Sequence, residues 1–153
     1  MSTSKDNEFS IELVQQADYR FETQFEQTGV PPLVTDEPPP LGGDAGPNPS
    51  RLLTLAVANC LSASLLFAMR KFKNEPGPLR TRATTAIERN AENRWRIGRI
   101  AVDIQLGRPA AELKMVDRIL GQFEDFCIVT QSVRAAFPVT VRVLDHDGTP
   151  LTS

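Results

Sequence analysis

The architecture of this chain depends on residues Asn48 to Lys73, which read NPSRLLTLAVANCLSASLLFAMRKFK. Asn48 is a favourable N-cap, and Pro49 suits the first helical position, where its missing N–H is not needed. The segment Leu52–Met69 contains no charge, Gly or Pro, and the cations that follow it complement the negative end of the helix dipole. Apolar and small residues occur on all sides of this segment, which predicts a long helix buried all round.

The length and composition are those of one soluble globular domain. A chain of 153 residues is long enough for one domain with a core but short for two, so residues 1–153 are expected to form a single domain with a flexible tail at residues 1–8. Its hydrophobic content of 41% and charged content of 24% are ordinary for such proteins. The net charge of −2 gives no electrostatic reason to expect binding to nucleic acid or to an anionic membrane.

Cysteine usage and the N-terminal sequence favour a reducing compartment. Two cysteines in a chain of this length do not make a disulfide scaffold. The first thirty residues carry polar and charged side chains throughout, without the apolar run of a signal peptide. The one membrane candidate, Leu52–Met69, is at the lower length limit for a span and is diluted by Thr54, Asn59, Ser62 and Ser64. A cytoplasmic protein without a membrane segment is therefore expected.

Alternating side chains predict two strands before the helix, Phe9–Val14 and Tyr19–Phe25, joined as a hairpin by Gln15–Asp18. The next segment, Gln27–Pro47, is rich in Pro and Gly and has room for only a short edge strand at Val30–Thr35. A loop of this length in a compact domain is often functional. It leads directly into the cap of the long helix, so we expect it to lie near that helix's N-terminus.

A second hairpin is predicted after the helix, with strands Leu79–Arg89 and Arg94–Leu106 around Asn90–Asn93. The apolar face of its second strand changes parity at Gly98, and a strand cannot exchange its faces without an extra residue. We therefore predict a β-bulge or bend at Gly98.

A second helix and a last strand are predicted for the C-terminal third, with the helix opening at Pro109. One apolar stripe follows helical spacing and ends in a cysteine: Leu113, Val116, Leu120, Phe123 and Cys127. Gly121 weakens or closes this helix, Ile128–Phe137 adds one or two helical turns, and residues 139–143 alternate as a strand. The order of elements predicts an α+β domain with antiparallel sheet.

Metal and phosphate chemistry find little support in the sequence. A zinc site needs about four converging ligands, whereas this chain has two cysteines and one histidine, His146, in a polar turn. It contains no glycine-rich phosphate motif, so neither a cofactor nor a metal is expected. The basic residues between Arg80 and Arg99 stand beside Glu88 and Glu92, which is typical of a solvated sheet face.

The two cysteines, Cys60 and Cys127, are the candidate reactive groups. Both occupy inward-facing helical positions, where Cys is often only a small hydrophobe of the core. They lie on elements that must pack together, so their sulfurs could also come within disulfide range. Arg20, on an early strand, would favour the thiolate of Cys60 if its guanidinium reached that sulfur. From the residues alone, core filler and redox pair both stay open.

Two segments resemble the OsmC/Ohr family of thiol peroxidases. Residues 42–61, GGDAGPNPSRLLTLAVANCL, share the family's Gly-rich loop, its N-P pair and its cysteine-bearing helix. Residues 123–134, FEDFCIVTQSVR, look like the segment of its second cysteine, and VTVRV at 139–143 looks like its closing strand. The resemblance implies an OsmC-like fold of antiparallel sheets wrapping central helices in an intertwined homodimer, with active sites at the subunit interface.

The same resemblance implies a mechanism, in which Cys60 is the peroxidatic cysteine, Cys127 the resolving cysteine and Arg20 the activating arginine. Cys60 would reduce an organic hydroperoxide, and also hydrogen peroxide, and become a sulfenic acid. Cys127 would convert this acid to a disulfide, which an external dithiol would reduce. An apolar pocket would favour organic hydroperoxides, and its expected lining is Leu53, Leu61 and Phe126.

One departure from the family pattern bears on activity. The glutamate that follows the N-P pair in typical members, where it pairs with the arginine, is replaced here by Ser50. Either Asp36 or Glu37, from the loop leading to the same helix end, substitutes as the carboxylate, or activation is weak. The alternative to a peroxidase is a divergent member on the same fold: a non-catalytic module that binds an apolar ligand, or a stress-associated dimer whose cysteines belong to the core.

Overall fold

The structure, a computed structural model, describes residues 7–26 and 28–152. It confirms the α+β class, since within these residues six strands in two small sheets accompany one long and two short α-helices. The chain divides into two compact units, residues 1–52 and 53–153, and the long helix begins in the first and continues into the second. The tail predicted at residues 1–8 falls mostly outside the described residues, and the expectation of a single domain stays a prediction.

The first unit contains an antiparallel sheet in the order β1-β2-β3, with bounds Ile11–Ala17, Arg20–Phe25 and Leu33–Thr35. The predicted hairpin and short edge strand are confirmed, but the turn is tighter than predicted. β1 continues through most of the segment expected as the link, and only Asp18 and Tyr19 form the turn. Asp18 has a left-handed backbone (φ 49°), which Asp tolerates better than most residues and which makes the short turn feasible.

Helix α1 spans Pro49–Lys71, and its predicted start is confirmed. The side-chain oxygen of Asn48 accepts a hydrogen bond from the backbone N–H of Arg51 at 3.0 Å, which caps the first turn. Just beyond the other end, Lys73 has a left-handed backbone (φ 62°), so the helix cannot continue into the link that follows.

The expectation that α1 is buried on all sides is wrong for this chain. One stripe of side chains is buried in the core of the second unit: Val57, Leu61, Leu65, Ala68 and Met69. Residues on the other side of the helix are open, and Leu55 and Phe67 are 59% and 69% exposed. The difference arises because the sheet of the second unit covers only one side of the helix.

By length and composition alone, α1 is long and apolar enough to cross a membrane. Two of its polar side chains are paired with the second sheet of the fold. Ser62 Oγ lies 2.6 Å from Thr81 Oγ1, and Thr54 Oγ1 lies 2.5 Å from Thr85 Oγ1. The expectation that this helix does not span a membrane stays a prediction.

The second unit contains the sheet β4-β5-β6, with bounds Arg80–Arg89, Trp95–Gln105 and Val139–Leu144. The hairpin β4–β5 is antiparallel as predicted, but β6 runs parallel to β5, so the expectation of purely antiparallel sheet is wrong. Between them the chain returns through the helical segment 110–133. A crossover of this length brings the next strand in parallel to the first, which a tight hairpin cannot do.

The β-bulge predicted at Gly98 is confirmed. Ala86 and Ile87 of β4 pair with Arg99 and Ile97, so Gly98 is the extra residue of β5. A Cβ atom at this position would collide with a side chain of β4, which makes glycine suitable there. The buried faces before and after the bulge thus keep to one side of the sheet, as the change of parity indicated.

The predicted second helix is broken into short pieces. In chain order these are a 3-10 turn at Ala110–Glu112, α2 at Val116–Leu120, a 3-10 turn at Phe123–Phe126 and α3 at Ile128–Val133. Met115 has a left-handed backbone (φ 57°) directly before α2, so a continuous helix is interrupted there. The predicted inward positions of Phe123 and Cys127 are confirmed, since both residues are buried.

Replacing Asn48 with Ala removes the side-chain acceptor of the first helical turn. We expect the free energy of unfolding to fall by about 1 kcal/mol, the usual contribution of an N-cap, as measured by urea denaturation. Asn48→Ser keeps a capping oxygen and should lose less. Equal stability of the Ala variant and the wild type would contradict the assigned cap.

Candidate active site

Both cysteines belong to the second unit, and both are free thiols. Cys60 lies in the middle of α1, directly before the buried Leu61, and is itself half-buried. Cys127 lies between the second 3-10 turn and α3 and is 0% exposed. Cys60 packs against the core cluster that contains Cys127, and its thiol raises the pKa of Cys127. The fold therefore brings together the two side chains that the sequence singled out as reactive.

The surroundings of Cys127 act on its ionisation in opposite directions. Burial raises the pKa of the Cys127 thiol, and the neighbouring thiol of Cys60 raises it further. Thr130 lowers this pKa through its hydroxyl. The Sγ atom of Cys127 donates to Thr130 Oγ1 at 3.0 Å, and both residues are 0% exposed. The thiol is thus held by specific partners and not by packing alone.

In the first unit, the loop before α1 folds around the carboxylate of Asp36, whose side chain is 2% exposed. This carboxylate accepts the backbone N–H groups of Glu37 at 2.8 Å, Gly43 at 3.0 Å and Ala45 at 3.1 Å. The N–H of Ala45 is the largest cause that lowers the pKa of Asp36, and burial opposes it. The other two N–H groups and the charge of Arg20 lower the pKa further. The carboxylate is therefore ionised at neutral pH.

Arg20, on β2, lies beside this carboxylate. Its Nε is 3.9 Å from Asp36 Oδ2, and its side chain is 46% exposed. The two residues line an open cavity of about 260 Å³ with the loop around Gly42 and Gly43. A Cβ atom at Gly42 would collide with the Asp36 carboxylate and the Glu37 carbonyl, so only glycine lets the loop close this tightly. Of the two carboxylates suggested by the sequence, Asp36 is the one paired with Arg20.

Glu37 and Ser50 lie near the start of α1. Glu37 Oε2 accepts a hydrogen bond from Asn48 Nδ2 at 3.4 Å, which places this carboxylate at the helix cap. Ser50 is half-buried in the first turn of α1, a turn that contains no acidic residue. The acidic side chains near the helix start are therefore supplied by the preceding loop.

The three residues expected to line an apolar pocket differ in exposure. Leu61 is 0% exposed and belongs to the core, Leu53 is half-buried and Phe126 is 67% exposed. Leu53 and Phe126 can therefore contact a ligand that arrives from solvent, whereas Leu61 supports the helix from the core side.

Thr130 is the member of this site that sequence reasoning missed. It stands three residues after Cys127, the spacing at which a residue preceding a helix contacts the third residue of its first turn. That spacing is visible in the sequence, but it predicts a contact between the two side chains only when α3 is known to begin at Ile128.

His146 lies in a polar turn near the C-terminus, as predicted, between Asp145 and Asp147. Ligand atoms of these three side chains lie within 4.8 Å of one another, an arrangement that could hold a metal ion. One carboxylate oxygen of Asp145 already accepts the backbone N–H groups of Ala110 and His146. The expectation that the protein needs no metal stays a prediction.

Known proteins share both the sequence pattern and the fold of this chain. The family model described as OsmC-like protein matches residues 42–142, more than half of the chain. The matched span includes both cysteines. It begins after Arg20 and Asp36, so these two residues lie outside it. Among curated protein sequences, none matches this chain significantly.

Solved structures with the same fold extend over most of the chain. An OsmC-like protein of unknown function from Vibrio cholerae has a TM-score of 0.75 at 13% identity, covering 90% of this chain and 99% of that one. An OsmC-like protein from Mycoplasma pneumoniae has a TM-score of 0.72 at 15% identity, covering 92% and 98%. The organic hydroperoxide resistance protein OhrB of Bacillus subtilis has a TM-score of 0.63 at 14% identity, covering 88% and 98%. The expected OsmC-like fold is thereby confirmed.

Replacing Asp36 with Asn should destabilise the protein at neutral pH, because an amide cannot accept all three N–H groups as a carboxylate does. Since the pKa of Asp36 is lowered in the folded chain, its stabilising contribution is complete above the ordinary value of 3.8 and is lost as the pH falls through the folded value. The difference in unfolding free energy between wild type and variant should therefore shrink below about pH 4. Urea denaturation over a pH series measures this difference.

The matched control for this series is Asp18→Asn, at an exposed turn position whose left-handed backbone suits either residue. Its stability relative to wild type should change little between neutral and acidic pH. A difference for Asp36→Asn that stays constant down to about pH 3 would contradict the assigned role of the carboxylate.

Replacing Cys60 with Ala should lower the pKa of Cys127, because the neighbouring thiol of Cys60 raises it. The β-carbon chemical shift of Cys127 in cysteine-labelled protein, followed over pH, measures this pKa directly. Ser64→Ala, one turn further along α1, is the control and should leave the titration unchanged. An unchanged titration in Cys60→Ala would show that the two thiols do not interact.

Proposed function

The chain belongs to the OsmC-like protein family, and from this premise we propose that it is a thiol-dependent peroxidase that reduces organic hydroperoxides and also hydrogen peroxide. In this proposal, Cys60 is the peroxidatic cysteine and Cys127 is the resolving cysteine. One protein of the same fold is an organic hydroperoxide resistance protein, which supports the same substrate class.

The observation that carries the proposal is that Cys60 packs against the core cluster containing Cys127 and acts on the ionisation of the Cys127 thiol. A sulfenic acid on one sulfur becomes a disulfide only if a second sulfur can reach it. Cys60 is half-buried and so accessible to a small peroxide, whereas Cys127 is fully buried. A partly accessible thiol suits the attack on peroxide, and a protected thiol beside it suits the second step.

Each step of the proposed reaction balances. The Cys60 thiolate attacks the terminal oxygen of the hydroperoxide, the O–O bond breaks, and the departing alkoxide takes up a proton to become the alcohol. The Cys127 thiolate then attacks the sulfur of the Cys60 sulfenic acid, and the departing hydroxide takes up the proton that Cys127 released, giving a disulfide and water. An external dithiol reduces this disulfide by two exchange steps and becomes oxidised itself.

Arg20 is proposed as the cation that favours the Cys60 thiolate, with Asp36 as the carboxylate that orients it. The ion pair between these two residues supports this pairing. Asp36 would replace the glutamate that typical members carry at the position of Ser50. Glu37, bonded to the helix cap at Asn48, is the weaker candidate for this role.

The preference for organic hydroperoxides is proposed to come from apolar side chains near the thiols. Leu53 on α1 and Phe126, directly before Cys127, are open enough to contact the organic group. Burial of apolar surface would then favour an organic hydroperoxide over hydrogen peroxide, which has no such group.

A homodimer is proposed because the single chain leaves large apolar side chains open on both units. Leu55 and Phe67 are exposed on α1, and Leu13 and Val14 of β1 are 51% and 49% exposed. Soluble monomers rarely leave extended apolar surface uncovered. Light scattering of the purified chain tests the dimer, and a monomer would contradict it.

The proposed location is the cytoplasm, where dithiol reductants are maintained. The proposed function requires neither nucleic acid nor a membrane.

Mixing the reduced protein with an equimolar amount of cumene hydroperoxide tests the peroxidase directly. We expect both thiols to be lost rapidly and mass spectrometry to show a Cys60–Cys127 disulfide. Cys60→Ser should abolish turnover. Cys127→Ser should still react once, after which Cys60 proceeds to sulfinic acid in excess peroxide, because no thiol resolves the sulfenic acid.

Further variants and outcomes separate the alternatives. Arg20→Met should slow formation of the Cys60 sulfenic acid without changing the step that follows it. Thiols that survive the peroxide in the wild type would contradict the peroxidase. Stoichiometric binding of an apolar dye by such an unreactive protein would instead favour a module that binds apolar ligands.

A further inference from the structure

We propose that Thr130 is a positioning residue of the resolving step: its hydroxyl holds the sulfur of Cys127 and stabilises the thiolate that attacks oxidised Cys60. The inference rests on the function proposed above for Cys60. It adds a residue that affects the rate of disulfide formation.

The geometry around the sulfur supports this role. Cys127 Sγ lies 3.0 Å from Thr130 Oγ1, and both residues are 0% exposed, so water does not compete for the contact. A hydroxyl can accept a hydrogen bond from S–H and, after rotation, donate one to S⁻. Thr130 can therefore partner the sulfur in both protonation states.

Among the described residues, the groups that act on the Cys127 sulfur are Cys60 from α1 and Thr130 from α3. While Cys60 is reduced, its thiol and its charge raise the pKa of Cys127, in addition to the effect of burial. A sulfenic acid at Cys60 is neutral at the moment the peroxide has reacted, so the contribution of that charge disappears. The stabilising contact of Thr130 remains.

The consequence is an order of events. Cys127 is held as a thiol while Cys60 is the nucleophile, and it ionises more easily once Cys60 has been oxidised. The proton released by Cys127 leaves with the hydroxide of the sulfenic acid as water, the S–O bond breaks and the S–S bond forms. Without the Thr130 hydroxyl, burial disfavours ionisation of Cys127 and nothing offsets this at the side chain of residue 130. The sulfenic acid of Cys60 is then attacked more slowly.

The test replaces Thr130 with Val, which keeps the shape of the side chain and removes the hydroxyl, and with Ser, which restores it. Reduced protein is mixed with cumene hydroperoxide and quenched over time, and mass spectrometry follows dimedone-trapped sulfenic acid and disulfide separately. In Thr130→Val we expect unchanged formation of sulfenic acid and disulfide formation slower by roughly three- to tenfold at neutral pH. Removal of the hydroxyl raises the pKa of Cys127 and so lowers its thiolate fraction, and the greater nucleophilicity of the more basic thiolate offsets part of this effect.

The pH profile separates a positioning role from a merely structural one. In Thr130→Val the rate of disulfide formation should rise to its plateau at higher pH than in wild type, because the pKa of Cys127 is higher without the hydroxyl. Thr130→Ser should restore both the rate and the profile. In excess peroxide, Thr130→Val should also accumulate more sulfinic acid at Cys60, because the sulfenic acid persists for longer.

A second measurement does not depend on peroxidase activity. The Cys127 thiol is titrated by its β-carbon chemical shift in Cys60→Ala and in Cys60→Ala/Thr130→Val, with thermal unfolding as a check that both are folded. The double variant should titrate at higher pH. Equal titration, or disulfide formation in Thr130→Val at the wild-type rate and pH profile, would overturn the inference while leaving the peroxidase intact. Failure of Cys60 to react in the wild type would instead overturn the peroxidase, and the titration would still decide the contact of Thr130 with Cys127.

Discussion

The burial of one face of α1 determines where Cys60 lies. Val57, Leu61 and Leu65 follow one another at helical spacing and are fully buried in the core of the second unit. Each contributes about 1.5–3 kcal/mol through loss of apolar surface from water. A helix turns by about 100° per residue, so the residue before a buried one lies at the edge of the buried stripe. Cys60 occupies this edge, directly before Leu61, and the packing that fixes the helix also fixes how far the thiol reaches toward solvent.

The thiol of Cys60 lies at the edge of the core and the thiol of Cys127 lies in its interior, so their environments differ. At the edge, Cys60 combines access for a small molecule with apolar neighbours. Inside, Cys127 meets a low dielectric that disfavours the charged form, so any ionised state must be stabilised by groups in direct contact. Thr130 is such a group, and its contact is short and shielded from water. The buried cysteine is therefore controlled by its immediate hydrogen bonds, whereas the exposed guanidinium of Arg20 acts in a more strongly screened environment.

The features that the sequence predicts well are those encoded by neighbouring residues. The cap at Asn48 and the bulge at Gly98 follow from local residue types and from a change of parity within one strand, and both are confirmed. The parallel placement of β6 depends instead on the path of the chain between distant strands, which no local pattern records. The apolar stripe ending at Cys127 predicted the inward positions of Phe123 and Cys127 correctly but the continuous helix wrongly, because short helical pieces can place these side chains inward. The contact of Thr130 with Cys127 and the exposure of one side of α1 could not be predicted from the sequence. Both depend on which elements pack against each other in the folded chain.

Arg20 pairs with Asp36, a carboxylate that is held by a loop and not by a helix. A carboxylate in the first turn of α1 would be positioned by helix geometry, whereas Asp36 is positioned by three backbone N–H groups of the loop that encloses it. Those groups keep the carboxylate ionised, since each lowers its pKa. Its contact with Arg20 is 3.9 Å, longer than a hydrogen bond, and the guanidinium is half-exposed, so the pair contributes more to orientation than to stability. The absence of an acidic residue from the first turn of α1 is therefore compatible with an oriented arginine, provided that Gly42 lets the loop close on the carboxylate. In this chain the arginine lies beside a carboxylate whose position depends on this tight loop.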